Sequence, residues 1–300
     1  MPDLDAQMMA RIETGEGFIA ALDQSGGSTP KALKNYGIDA CAYDDNGAMF
    51  ALIHDMRSRI MTAPSFASGK IIGAILFEKT MDGTADGKPV PELLCDRNIV
   101  PFLKVDKGLQ EESGGVQLMR PIPDLGALLE RAKAKKIFGT KMRSVIHQAS
   151  RDGIAAIAEQ QFAVAKDILQ HGLLPIVEPE VSITSAERAR CDAILLEEIR
   201  RQLETLPAGS KLVLKLSLPV QPGHYTPLLD HPRVARIAAL SGGYSRDEAC
   251  SQLARNRGMI ASFSRALLQD LRHAMSDAEF DRALGHAIDQ IYRASTRKTP

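Results

Sequence analysis

The chain has 300 residues, enough for one large domain or two ordinary ones, and 44% of them are hydrophobic, so a sizeable core can form. Its 37 basic residues balance its 37 acidic ones. A net charge of zero argues against binding nucleic acid or an anionic membrane by bulk electrostatics, so an anionic substrate would need a local cluster of cations.

The cysteines (Cys41, Cys95, Cys191, Cys250) are far apart, with no CxxC pair and no histidine at metal-ligand spacing, and read as reduced thiols. The stretch MPDLDAQMMARIETGEG is charged throughout and lacks the apolar core of a secretory signal. No apolar run approaches membrane-spanning length. These features predict a soluble cytoplasmic protein.

In chain order, eight β-rich runs recur: FIAALD (18–23), IIGAILF (71–77), VPFLKVD (100–106), KIFGTKMR (136–143), LLPIVEPEV (173–181), KLVLKLSL (211–218), RIAALSGG (236–243) and MIASFSR (259–265). They are mostly apolar rather than alternating, as strands buried on both faces of a parallel sheet should be. Helical patterns separate them. Ile154, Ile157, Ala158, Phe162, Ala165 and Leu169 make one apolar helix face, and Gly172 stands where that helix should stop. Thr184 with Glu187, Ser245 with Glu248 and Ser276 with Glu279 have capping-box spacing. Alternating strands and helices predict a closed (β/α)8 barrel of the TIM type, an α/β single domain over residues 1–300. The rival is a doubly wound open sheet. It would carry a GxGxxG turn after the first strand, and Asp23-Gln24-Ser25-Gly26-Gly27-Ser28 does not fit.

In such barrels chemistry collects at the C-terminal ends of the strands. Those ends hold Asp23, Lys104 and Asp106, Lys141 and Arg143, Glu178 and Glu180, Lys215, Ser241 with Gly242 and Gly243, and Arg265. A structural ion-pair network would account for any single pair. Charges on most of the strands at once point to a site, because buried charge is costly unless used. The chemistry that fits is Schiff-base catalysis, in which a neutral lysine amine attacks a ketone and the resulting iminium serves as an electron sink. Lys215, within the apolar run VLKLSL, is the first candidate nucleophile and Lys141 the rival; Glu178 and Glu180 can move the protons. Ser241-Gly242-Gly243, just before a helix start, with Arg265 on the next strand, forms a candidate phosphate site.

At these residues the sequence resembles the class I fructose-1,6-bisphosphate aldolases. The matching stretches are ALDQS with Gly27-Ser28, GAILFEKT, FLKVDKG, FGTKMR, GLLPIVEPE, LVLKLSL, LSGGYSRDEA and SFSRAL. The resemblance implies reversible, metal-independent cleavage of fructose 1,6-bisphosphate to dihydroxyacetone phosphate and glyceraldehyde 3-phosphate in glycolysis and gluconeogenesis, without a cofactor. It makes Lys215 the Schiff-base lysine, Glu178 the acid/base residue with Glu180 beside it, and Asp23 the group handling the C4 hydroxyl proton. It makes Lys141 a supporting charge accompanied by Arg143. It places Ser241, Gly242, Gly243 and Arg265 at one phosphate and Lys104, Ser25 and Ser28 at the other. It also implies a homo-oligomer with a small phosphosugar substrate.

There are departures from the family pattern. Gln24 stands where an acidic residue is common, the lysine strand reads LKLSLPV, and Ser264 replaces a common glycine. No tail tyrosine can be assigned, Tyr292 included. These differences imply a bacterial-type branch. The sequence contains no P-loop, HExxH or GxSxG motif. His54, His147, His171, His224, His231, His273 and His286 form no ligand-like set.

Overall fold

The computed structural model describes residues 4–67 and 69–299. A first helix, α1 (Leu4–Thr14), precedes the barrel strands β1 (Phe18–Leu22), β2 (Ile71–Leu76), β3 (Val100–Lys104), β4 (Gly139–Ile146), β5 (Leu174–Val181), β6 (Leu212–Ser217), β7 (Val234–Leu240) and β8 (Met259–Ala261). Each pairs with the next in parallel, in sequence order. The Ala21 amide of β1 donates to the Phe263 carbonyl just past β8 at 3.2 Å, which brings the two end strands together and nearly closes the barrel. Apolar runs become parallel strands here because helices cover their outer face and the barrel fills their inner one.

The strand extents follow the sequence with two instructive shifts. Lys136 adopts a left-handed φ of 64° as the preceding helix ends, so β4 starts at Gly139 and runs on to Ile146. The last run pairs only through Ala261, and Arg265 opens a short helix instead of extending the strand.

The helices are α2 (Ser28–Tyr36), α3 (Asn46–Thr62), α4 (Glu78–Asp82), α5 (Val90–Asp96), α6 (Leu125–Ala134), α7 (Arg151–Gln170), α8 (Arg188–Leu203), α9 (Arg246–Ala254), α10 (Arg265–Leu268) and α11 (Asp277–Thr296), and the connections add a 3-10 turn (Ala40–Ala42), a short hairpin (Thr84–Ala85 with Lys88–Pro89) and a short strand (Val116–Gln117) antiparallel to β4. Helix α7 buries the apolar face read from the sequence, with Leu169 only partly covered, and ends before Gly172 at φ 75°. The capping boxes at Ser245/Glu248 and Ser276/Glu279 form. The expected box at Thr184/Glu187 does not. Residues 182–185 turn on themselves through the Ser185 amide and the Ser182 carbonyl, Thr184 pairs with the Ser182 hydroxyl, and Glu187 is itself the N-cap of α8. The β6–β7 connection carries only a 3-10 turn, Thr226–Leu228. Buried Asp192 of α8 pins it by accepting from the Val220 amide and the Tyr225 hydroxyl, both at 3.1 Å.

Inside the barrel, Ile19, Phe102, Phe138, Ile176, Val213, Ala238 and Ile260 form a core distinct from the larger one beneath the helices. Met8 and Ile12 of α1 join it from below. Arg236 at the start of β7 fastens this plug by donating to the Ile12 and Gly15 carbonyls at 2.7 and 2.8 Å. Phe102 occupies the middle because its flanks are glycines. A Cβ on Gly139 would stand 2.6 Å from the Phe102 ring and 2.2 Å from the Leu174 carbonyl oxygen, and one on Gly73 would meet the ring at 3.3 Å. Gly139→Ala is therefore expected to destabilise the protein by at least about 1–3 kcal/mol, the usual cost of overpacking. Denaturant unfolding measures this, and a loss below about 0.5 kcal/mol would refute the tight seating of Phe102.

Candidate active site

Every site residue expected from the sequence lines one cavity at the C-terminal mouth of the barrel, with a volume of about 1200 Å³. Strand register produces the convergence. Lys141 and Arg143 share a face of β4, Glu178 and Glu180 share a face of β5, and Arg143 lies in register with Glu178. Strands β5 and β6 pair only at Ile176–Val213 and Val177–Leu214. Above that point Ser217 replaces the ladder, its hydroxyl donating to the Val181 carbonyl and accepting from the Val181 amide. Lys215 and Glu178, the next positions inward, face each other where the strands part.

The centre is a buried chain of charges. Lys141 Nζ lies 3.0 Å from Asp23 Oδ2 and 2.7 Å from Glu178 Oε2, while Lys215 Nζ lies 3.1 Å from Glu178 Oε1. All four side chains are at most 9% exposed. Burial alone would neutralise them. It opposes the charge on Asp23, but Lys141, Lys215 and Lys104 outweigh it and hold the carboxyl well below its usual range. Burial likewise opposes charge on Glu178, yet Lys141, Lys215 and Arg143 keep it a carboxylate. For Lys141 burial is overcome by Asp23 and Glu178, and the ammonium titrates far above the ordinary lysine value.

Two further pairs flank this chain. Arg143 Nε meets Glu180 Oε2 at 2.5 Å, and Lys104 Nζ meets Asp106 Oδ1 at 2.6 Å. On the opposite wall, Arg265 reaches over the Ser241–Gly243 turn, where a Cβ on Gly243 would sit 3.4 Å from both of its terminal nitrogens. Gly242 and Gly243 have positive φ values of 61° and 122°, so the turn depends on glycine. Ser25 and Ser28 form a local turn at the start of α2, with the Ser28 hydroxyl bonded to the Ser25 carbonyl and amide.

The sequence reading missed several wall residues. Lys31, Tyr244, Ser262 and Arg272 line the cavity, and Gln24 and Ser264 touch one another. Arg57 stands behind the Asp23–Gln24 turn at 1% exposure; burial pushes it down to about 10, with Asp23 pulling the other way. Its signal was available, since Arg57 interrupts the face of α3 that buries Ile53, Met56 and Ile60. No histidine lines the cavity, and among the described residues no cluster of His, Cys, Asp and Glu could hold a metal ion. The Tyr292 hydroxyl lies 3.5 Å from Glu16, which precedes β1 at the closed end of the barrel.

Two lysines, one free of the double carboxylate clamp that holds the other, beside carboxylates and an arginine-topped glycine turn, can carry out iminium chemistry on a phosphorylated ketone. That defines a Schiff-base lyase on a (β/α)8 barrel. Residues 3–200 match the family of fructose-bisphosphate aldolase class-I, well over half of the chain, and the protein belongs to that family. It is a carbon–carbon lyase whose reaction is the reversible aldol cleavage of fructose 1,6-bisphosphate. Among solved structures it is similar to a fructose-bisphosphate aldolase from Plasmodium falciparum crystallised with TRAP and a small-molecule inhibitor. That similarity has a TM-score of 0.76 and 21% identity, over 100% of this chain and 97% of the other. It is also similar to a protein from Corynebacterium glutamicum, with a TM-score of 0.55 and 12% identity, over 97% of this chain and 92% of the other. Both show the same fold. No helix among the described residues is long and apolar enough to cross a membrane.

The depressed carboxyls of Asp23 and Glu178 stabilise the fold above the ordinary carboxylate range, and that contribution drains away as pH falls toward their folded values. The raised Lys141 acts at the other end. Its contribution is complete below the ordinary lysine value of about 10.4 and is lost as pH rises through its folded value. Lys141→Met leaves two buried carboxylates short of a partner and is expected to cost about 3–5 kcal/mol at neutral pH. It is also expected to flatten the loss of stability below about pH 4. Urea unfolding at a series of pH values tests both, and an unchanged acid slope would contradict the network described.

Proposed function

We propose that Lys215 is the nucleophile and that Lys141 is a permanent charge. The observation that carries this is the unequal sharing of carboxylates. Lys141 is clamped between Asp23 and Glu178, whereas Lys215 contacts Glu178 alone. An ammonium held by two carboxylates keeps its proton and has no lone pair to offer. The proton of Lys215 can pass to Glu178, 3.1 Å away.

The neutral amine then attacks the C2 ketone of the open-chain sugar. Glu178 returns a proton to the carbinolamine oxygen, water leaves, and a protonated imine forms. Asp23 takes the C4 hydroxyl proton. The C3–C4 bond breaks, with its electrons passing into the iminium to give an enamine, and glyceraldehyde 3-phosphate departs. Protonation at C3 and hydrolysis release dihydroxyacetone phosphate and restore Lys215. Lys141 offsets the negative charge of Asp23 and Glu178 throughout, and Glu180 keeps Arg143 at the cavity edge.

Ser241, Gly242, Gly243 and Arg265 serve the phosphate nearer the ketone, through backbone amides and a guanidinium. Lys104, Ser25, Ser28 and Arg143 serve the distal one. We further propose a cytoplasmic homo-oligomer of the bacterial-type branch, in which the whole chain is one catalytic domain. Widely spaced free thiols support the compartment, and the departures at Gln24 and Ser264 support the branch. Leu4 and Val220 are the large hydrophobics exposed among the described residues.

Borohydride added with dihydroxyacetone phosphate should leave one reduced adduct, mapped by peptide mass to Lys215. Lys215→Met should abolish the adduct, while Lys141→Met should retain it and lower kcat by 100-fold or more, the order expected for a group acting on the transition state. Capture at Lys141 instead would reverse the assignment.

A further inference from the structure

We propose that Ser264 is an additional phosphate-binding residue, its hydroxyl turned toward the anion by Gln24. The proposal rests on reading the Arg265 wall as a phosphate subsite and deepens it.

The geometry begins with Arg57. Its buried guanidinium donates to the Gln24 backbone carbonyl, to Gln24 Oε1 at 3.3 Å and to Thr80 Oγ1 at 2.8 Å. A guanidinium can only donate, so the oxygen end of the Gln24 amide must face it and the NH2 end must face away. That NH2 end donates to Ser264 Oγ at 2.5 Å. The contact spans the gap between β1 and β8, which a single backbone hydrogen bond crosses among the described residues. A serine hydroxyl has two lone pairs and one hydrogen. With Gln24 occupying a lone pair, the hydrogen is released for another acceptor.

Ser264 lines the cavity beside Arg265. The wall also presents Ser262, which is 2% exposed and whose hydroxyl has no partner. A partnerless buried hydroxyl and a donor-polarised one, two residues apart and next to a guanidinium, make a surface lacking an anionic acceptor. A carboxylate at position 24 would reverse this arrangement. It can only accept, so Ser264 would donate to it and show the phosphate its lone pairs.

The test is calorimetric titration of dihydroxyacetone phosphate into the full-length Lys215→Met protein, where no Schiff base contributes. Inorganic phosphate titrated into the chain with Lys215 intact is a second reading. Ser264→Ala should weaken both ligands about tenfold, the size of one hydrogen bond to a charged group, and Ser264→Thr should restore binding to within about threefold by keeping the hydroxyl. Gln24→Met should weaken binding about threefold when Ser264 is present and leave it unchanged in the Ser264→Ala background. Unphosphorylated dihydroxyacetone should distinguish none of these variants. Phosphate affinity within about twofold of the parent in Ser264→Ala would overturn the assignment. Equal effects of Gln24→Met in both backgrounds would remove Gln24 from it. The inorganic phosphate reading involves no ketone and no Schiff base, so it stays interpretable even if Lys215 fails as the nucleophile.

Discussion

An ammonium buried between two carboxylates is the constraint around which this barrel is organised. Lys141 touches Asp23 across to β1 and Glu178 on β5, so three strands must present their polar ends at one height. Removing any member leaves a buried charge short of a partner, at a penalty of several kcal/mol. The network thus enforces register as well as chemistry. It also sets two otherwise similar lysines apart, because only Lys141 is committed to both carboxylates.

The scaffold supports this from beneath and from the side. Phe102, admitted by Gly73 and Gly139, fills the layer below the charges and keeps that layer apolar. Apolar surroundings raise the strength of every interaction above them. At the side, strands β5 and β6 separate early and Ser217 takes over their pairing. A side chain completes the hydrogen bonding that a continued ladder would have supplied, and the strands part at the level of Lys215 and Glu178.

Much of this was legible in the sequence. Eight apolar runs read correctly as parallel strands because burial on both faces leaves a plain signature, and the charges at the C-terminal ends of those runs meet in one cavity at the barrel mouth. What escaped has physical reasons. Arg57 acts from a helix on the far side of β1, and nothing in local spacing says that its guanidinium reaches the Asp23–Gln24 turn. Gln24 and Ser264 lie 240 positions apart in the chain, and reading each as a separate departure from the family pattern gives no sign that they meet. Their meeting is a property of barrel closure. The Thr184–Glu187 spacing misled for the opposite reason. The motif was present, but a tighter turn at Ser182–Ser185 engages the Thr184 hydroxyl with that of Ser182, and the helix starts at Arg188.

The helix fastened under the barrel has a kinetic implication. With Met8 and Ile12 seated in the floor and Arg236 gripping the end of α1, the barrel formed by the described residues is a vessel plugged at its base and open at its C-terminal mouth. Sugar, product and solvent all pass the same rim. The order of product departure thereby becomes a matter of traffic at a single door.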